Sequence, residues 1–560
     1  MPKITIDGKI FDVESGVTIL EAARSNGIEI PHFCWHPALS ISGNCRMCLV
    51  EIEKTPKLMI ACQTVVTDNM VVTTNSERVI KARQAVMEFL LINHPLDCPI
   101  CDEAGQCKLQ DYTMKYSLGR SRFEEVKNKK PKRYKIGPFI FYDAERCISC
   151  SRCIRFCKEI AKSPQITFVN RGDRVLVQTF SGQLLDNPYS MNTIDTCPVG
   201  ALTSADFRFK ARVWEMSFTD SICVGCSRGC NIRIGVRNNE ILRLEPRENL
   251  NVNKYWMCDK GRVESYKHVN SDTRIEYPLV KKDEELMRAG WDESIAQVVS
   301  LLKNYLPDEI YALGSAYSSV EDNYLLKKLF INTLSIHQIN YIPHIKPNDE
   351  DSILIQADKT PNQRGLEGLG IKSITEGDNL SNIVKSIKKK KIKLLYVMND
   401  DVFSLSQLSE VLDYVDIIIV HSSNKNETTK IANIILPCST FAEINGTFVN
   451  FEGRVQRVCP ALSTLDRERT TNFYQLSRLD KFGTLFDKWN VPTKVDARPS
   501  WKVLAKLLKL FGVTTEYFIA RDVFNEIVNV VPAFKGLSYD VLSNQGALLK
   551  SNNINIDREM

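Results

Sequence analysis

Cys147, Cys150, Cys153 and Cys157 are spaced C-x2-C-x2-C-x3-C, the run that holds cubane iron–sulfur clusters in bacterial ferredoxins. In two-cluster ferredoxins the fourth cysteine precedes proline and serves the other cluster. Here Cys157 precedes Lys158, and the Cys-Pro pair stands downstream as Cys197-Pro198. Cys147, Cys150, Cys153 and Cys197 are therefore expected to hold one [4Fe–4S] cluster, with Cys157 a small buried residue. Three cysteines at two-residue gaps suit a cubane better than the opposed chelating pairs of a zinc site.

Three further sets stand at ligand spacing. Cys34, Cys45, Cys48 and Cys62 give C-x10-C-x2-C-x13-C, a close pair flanked by two outliers. Plant-type [2Fe–2S] sites share that pattern with a shorter first gap, and four-cysteine zinc is the alternative. Ser42, Gly43 and Asn44 are small enough to let backbone N–H groups turn toward the sulfurs. His94, Cys98, Cys101 and Cys107 give H-x3-C-x2-C-x5-C, which suits structural zinc as well as a [4Fe–4S] cluster with one imidazole ligand. His94 also reads as a plain helix-end histidine; the wealth of cluster motifs elsewhere favours the cluster. A neutral imidazole in place of a thiolate would raise its potential. Cys223, Cys226, Cys230 and Cys258 give C-x2-C-x3-C-x27-C, for which zinc ribbon and cubane are comparable readings on spacing alone. Cys157, Cys438 and Cys459 remain as free structural cysteines.

Elements to position these ligands are legible. Lys3–Val13 reads as two strands around an Asp7-Gly8 turn, followed by a helix from Val17 to Ser25 closed by Gly27. Together they suggest a small β-grasp domain. Residues 77–117 look mostly helical, and Lys127–Arg133 reads as an exposed linker in preference to a basic patch on a partner-facing surface. Beyond about residue 270, apolar strands such as Ile310–Leu313, Leu394–Met398 and Asp416–Val420 alternate with helices, predicting an open α/β fold with a largely parallel sheet. Lys388–Lys391 reads as a solvated helix end. A chain of 560 residues exceeds a single core. Its net charge of +6 makes no case for nucleic acid. Its 18 cysteines fall 12 in the first 200 residues and four between Cys223 and Cys258, a clustering that argues for metal over disulfides. No apolar run reaches membrane-helix length, and the N-terminus enters a strand at once with no signal segment.

All four spacings, in this order, resemble the large iron–sulfur subunit of complex I, the proton-pumping NADH–quinone oxidoreductases. The likeness covers roughly residues 1–270 and extends to Pro31-His32-Phe33-Cys34, Cys98-Pro99-Ile100-Cys101-Asp102 and Arg146-Cys147-Ile148-Ser149-Cys150. Cys258-Asp259-Lys260-Gly261-Arg262 resembles the segment joining cluster to pterin in molybdenum and tungsten bis-pterin oxidoreductases. The remainder resembles that fold more loosely, through Asn362-Gln363-Arg364-Gly365, Ala432–Pro437 and Glu452-Gly453-Arg454. No cysteine lies between Cys258 and Cys438, where those enzymes usually place a metal ligand, so a retained scaffold without molybdenum is expected.

The resemblance implies a multidomain α+β and α/β protein. Its parts are a β-grasp [2Fe–2S] domain at 1–76, a helical [4Fe–4S] domain with one histidine ligand at 77–120 and a ferredoxin-like [4Fe–4S] domain at 121–215. A bis-pterin-type [4Fe–4S] domain at 216–272, a reduced molybdopterin oxidoreductase-like α/β domain at 273–490 and a helical tail at 491–560 follow. It further implies an electron-transfer subunit with one [2Fe–2S] and three [4Fe–4S] clusters and no molybdenum, flavin or NAD of its own. Electrons would come from a flavin/NADH-binding subunit and leave to quinone-side iron–sulfur subunits, with the Cys223–Cys258 cluster off the path. The implied place is the cytoplasmic face of the bacterial inner membrane, touching the membrane only through the complex. Two rivals are a molybdenum-dependent formate dehydrogenase-like catalytic subunit and the electron-transfer subunit of an NAD-linked hydrogenase. The missing ligand cysteine disfavours the first, and the C-terminal scaffold the second.

Overall fold

The computed structural model describes residues 1–117, 119–466 and 494–550, in two compact units divided after Met216. The first begins with β1 (Lys3–Ile6) and β2 (Lys9–Asp12), joined by a turn in which Asp7 (φ 47°) and Gly8 (φ 81°) are both left-handed. Helix α1 (Ile19–Ser25) starts on a capping box: Thr18 Oγ1 accepts from the Glu21 N–H at 3.3 Å, and Glu21 Oε2 accepts from the Thr18 N–H at 2.8 Å. The sheet is completed by β3 (Leu49–Ile52), β4 (Met59–Ile60) and β5 (Met70–Thr73), in the order β2-β1-β5-β3-β4. Ile4, Ile6, Leu20, Trp35, Val50 and Val72 bury the face against α1.

Two helices follow, α2 (Glu77–Ile92) and α3 (Lys108–Tyr116). Buried Arg83 of α2 ties them to the sheet by donating to Tyr116 Oη at 3.3 Å and the Leu49 carbonyl at 2.9 Å. A three-stranded sheet of β6 (Tyr134–Lys135), β7 (Ile140–Tyr142) and a later strand, Leu202–Ser204, encloses α4 (Arg152–Glu159) and α5 (Asn192–Thr196) in sequence. The basic segment Lys127–Arg133 is not the free linker expected. Lys127 Nζ donates to the carbonyls of Leu91, Ile92 and His94 at 2.7–3.0 Å, and Lys132 pairs with Asp97 and Glu145 at 2.8 and 2.9 Å. The open carbonyls at the end of α2 attract a cation that a charge count alone assigns to solvent.

The second unit opens with an antiparallel sheet of Ser217–Ile222, Asn231–Arg237 and Glu240–Pro246. Its main sheet has eight strands, six of them parallel, with Leu279–Lys282 and Glu285–Arg288 antiparallel at one edge. The adjacent central strands Ile310–Gly314 and Leu394–Met398 send their connections in opposite directions, which makes their C-terminal ends the switch point of the fold. The segment expected as a helical tail is helical at Ser500–Leu510 and Ala520–Val530, but Trp501, Leu504, Leu508, Phe524 and Ile527 share one core with the main sheet. Residues 491–493 and 551–560 of that expectation lie outside the described residues. Among the described residues, no helix is long and apolar enough to cross a membrane.

Glu321 is fully buried in helix Val320–Lys327 and accepts from Thr447 N–H at 2.9 Å and Tyr539 Oη–H at 2.9 Å. Burial raises its carboxyl from 4.5 to about 7. The folded chain then keeps a proton that the unfolded chain has lost, so this contribution is full below pH 4.5 and declines as pH rises to about 7. The urea midpoint of the wild type should fall across that interval relative to Glu321→Gln; parallel profiles would refute the assignment.

Candidate metal centres

Cys34, Cys48 and Cys62 are buried and Cys45 half-buried, on the loops between α1 and β3 and after β4. Their thiols are within hydrogen-bond reach of one another: Cys34 with Cys45 and Cys62, and Cys48 with Cys62. The Phe33 N–H donates to Cys45 Sγ at 3.5 Å. Hydrogen bonds from Cys45 and Cys62 hold the Cys34 thiol far below its usual range, and Cys34 in turn pushes both neighbours up. Four thiols so placed ionise together only around added positive charge, which suits a metal centre.

In the third set, Cys150 lies just before α4, Cys153 in its first turn and Cys197 just after α5. With Cys147 they line a cavity of about 20 Å³ walled by Tyr142, Ile148, Val199 and Leu202. Left-handed Ser149 (φ 54°) turns its N–H onto Cys147 Sγ at 3.4 Å. Burial pushes Cys153 and Cys197 well up, so uncompensated thiolates are disfavoured here too. Cys157 is fully buried and does not line this cavity.

The fourth set belongs to the second unit. Cys223, Cys226, Cys230 and Cys258 line a cavity of about 140 Å³ with Met257, Lys260 and Lys359. Cys223 Sγ accepts from the Gly225 N–H at 3.4 Å, and Cys258 Sγ from the Gly261 N–H at 3.2 Å. A Cβ on Gly261 would lie 3.1 Å from both sulfurs, so only glycine lets the backbone approach this closely. Burial pushes Cys223 up to about 11. The space and the sulfur-directed amides fit an anionic cluster, while Lys260 and Lys359 both pair with Asp349, at 3.3 and 3.0 Å.

The second set is only partly assembled. Cys98 is exposed at the start of a short turn, while Cys101 and Cys107 are half-buried, Cys107 as the residue before α3. Burial pushes Cys107 up to about 12. His94 instead lines a cavity of about 50 Å³ with Asn93, Asn128, Lys130, Glu145 and Cys147. Burial lowers its imidazole to about 4, so it is neutral at pH 7 and able to ligate a metal.

Joints between the sets are residues that sequence reasoning missed. Asn44 Nδ2 donates to the Ser149 carbonyl at 3.1 Å, and Arg155 donates to the carbonyls of Cys34 and Cys150, joining first set to third. Cys107 Sγ lies 3.9 Å from the Pro198 carbonyl, and a Cβ on Gly200 would meet Cys101 Sγ at 2.1 Å, joining third set to second. Buried Arg146 crosses the same joint, bonding Asp97 at 2.9 Å and the Gly200 carbonyl at 3.5 Å.

Family models match along the chain in the same order. A 2Fe-2S iron-sulfur cluster binding domain covers residues 2–77, the NADH-ubiquinone oxidoreductase-G iron-sulfur binding region 83–122, and the ferredoxin-like domain of NADH-quinone oxidoreductase subunit 3 residues 137–203. The molybdopterin oxidoreductase Fe4S4 domain covers 216–271 and molybdopterin oxidoreductase 363–472. The G subunit of NADH-quinone oxidoreductase from Rickettsia conorii is 44% identical over 345 residues, 61% of this chain and 51% of that protein. Over that stretch the chain is similar to this G subunit. The 75 kDa subunit of NADH-ubiquinone oxidoreductase from Reclinomonas americana is 42% identical over 364 residues, 64% of this chain and 52% of its own. The chain thus spans about half the length of these two relatives. It carries iron–sulfur domains of both the 2Fe-2S and 4Fe-4S kinds. A chain from a crystal structure of NAD+-reducing [NiFe]-hydrogenase is 28% identical, covering 38% of this chain and 91% of that one, at a TM-score of 0.35.

Proposed function

We propose that the chain is the iron–sulfur electron-transfer subunit of a bacterial NADH:quinone oxidoreductase, with one [2Fe–2S] and three [4Fe–4S] clusters on the four sets described. Its partners would be the flavin/NADH-binding subunit and quinone-side iron–sulfur subunits, on the cytoplasmic face of the inner membrane. The N-terminal sheet and α1 act as a β-grasp carrier, the segments around α2–α3 and α4–α5 as two cubane carriers, and residues 216–272 as a bis-pterin-type cubane domain. The α/β domain from residue 273 serves as scaffold without molybdenum. Bound clusters would supply one-electron oxidation and reduction.

The observation that carries this reading is the continuity of the joints. The first set is fastened to the third by Asn44 and Arg155, and the third to the second by the Cys197–Gly200 strap. That order of contact is what a relay between two partners requires of its protein. Side chains fix the spacing, exclude water and place amide N–H groups on sulfur, which sets potentials. The switch point of the second unit supports a scaffold role. There Ser315 Oγ donates to the Asn399 carbonyl at 2.9 Å, and Asn323 bonds both the N–H and the carbonyl of Ser315. The two loops that would part for a ligand are stitched together.

Iron, sulfide, zinc and molybdenum content of the anaerobically purified chain tests the proposal. About 14 iron atoms per chain without molybdenum is the expected result. Stoichiometric molybdenum would make the chain an enzyme with its own substrate, and zinc in place of iron would sink the cluster assignments.

A further inference from the structure

Arg152 stands between two cysteines of the third set, Cys150 and Cys153, yet its guanidinium reaches the first set. One Nη donates to the carbonyl of Trp35, the neighbour of Cys34 in the chain. The other donates at 3.3 Å to the carbonyl of Thr196, the neighbour of Cys197. Its Nε is enclosed without a hydrogen-bond partner. Among the described residues no carboxylate pairs with it, and the ionisable groups that act on it most are the thiols of Cys150, Cys197, Cys45 and Cys34. The nearby His32 and His36 are kept neutral by burial and offer it no charge.

A guanidinium enclosed without an anion is strongly unfavourable. Both carbonyl acceptors are neutral, so the balance has to come from the two thiol sets once they hold their negatively charged centres. We propose that Arg152 is the shared counter-cation of the first and third sets, a positioning residue whose charge stabilises the reduced state of both. The role rests on the proposed function. Arg155, one turn along α4, does the mechanical part: it donates to the carbonyls of Cys34, Ser40 and Cys150 and so fastens the loop that Arg152 neutralises. Glu159, a further turn on, adds to that fastening by accepting from Ser40 N–H at 2.8 Å. A fixed cation beside a cluster favours the added electron and raises its potential.

The test is a potentiometric EPR titration of the full anaerobically purified chain as wild type, Arg152→Met and Arg152→Lys, with iron content measured on each. In Arg152→Met the midpoints of both the binuclear signal and the third-set cubane should move to more negative potential. Their magnetic interaction, which reports separation, should persist. Arg152→Lys should stay near the wild type, because it keeps the charge even though it loses the paired carbonyl bonds. If Arg152→Met sheds iron, Arg152→Lys with native iron and near-native midpoints still supports the role. Unmoved midpoints in Arg152→Met at native iron content overturn it, as does an equal shift in both variants. Wild-type protein without iron would overturn the proposed function and this role together.

Discussion

Gly200→Ala is expected to cost the chain one cluster without unfolding it. The added Cβ would lie 2.1 Å from Cys101 Sγ and 3.0 Å from the Glu103 Cβ. Cys101 Sγ can escape only by swinging about χ1, and the Glu103 Cβ is fixed to the backbone, so either Cys101 turns off its present position or the Cys197–Gly200 strap and the Cys98–Cys107 loop move apart. The backbone at Gly200 lies outside the left-handed region, so the contact alone makes the difference. Cys101 is then displaced from Cys98 and Cys107, and the second set cannot close on a cubane. Iron should fall from about 14 to about 10 atoms per chain. The EPR signals of the first and third sets should remain, because Cys197 sits at the far end of the strap. A full iron complement in Gly200→Ala would show that the joint is slack.

The second large effect is on stability. Arg274 Nη2 donates to both carboxylate oxygens of Glu443, at 3.0 and 2.9 Å, and the two side chains are only 7% and 6% exposed. Glu443 also accepts from the Thr440 N–H at 2.7 Å. Glu443→Ala strands a buried guanidinium whose Nη1 already has no hydrogen-bond partner. That should destabilise the second unit by about 3–5 kcal/mol. Replacing both partners with apolar residues, as in Arg274→Met with Glu443→Leu, should restore most of the loss, because the penalty lies in the orphaned charge. Urea unfolding followed by tryptophan fluorescence measures both. Equal losses in the single and double variants would mean that packing, not charge, holds the site.

The close cysteines were legible as candidate ligands because a two-residue gap is local chemistry that brings thiols together whatever the surrounding fold; outlying members such as Cys62, Cys197 and Cys258 rest on longer-range folding. The turn at Asp7-Gly8, helix α1 and the parallel strands were legible for a like reason, since periodicity and turn residues act within a few positions. The joints were not. Arg152 lies 117 positions from Trp35 and Cys107 lies 91 from Pro198, and no window of sequence carries such a pairing. Lys127–Arg133 misled because a basic run is usually solvated, whereas here Lys127 serves the end of α2. The last helices misled because an amphipathic pattern does not reveal which core its apolar face joins. His94 is a mixed case: its type and spacing suit a ligand, and its side chain lines the cavity beside Cys147.

The strap from Cys197 to Gly200 also acts as a ruler. Three peptide steps, even drawn straight, reach at most about 11 Å. One end is Cys197, the proposed ligand of the third set, and the other packs against Cys101 of the second. While Gly200 stays packed on Cys101, the separation of the two sets is limited by the length of this strap. One inserted residue would lengthen the ruler by about 3.5 Å, which makes this stretch a poor place for the length variation that surface loops tolerate.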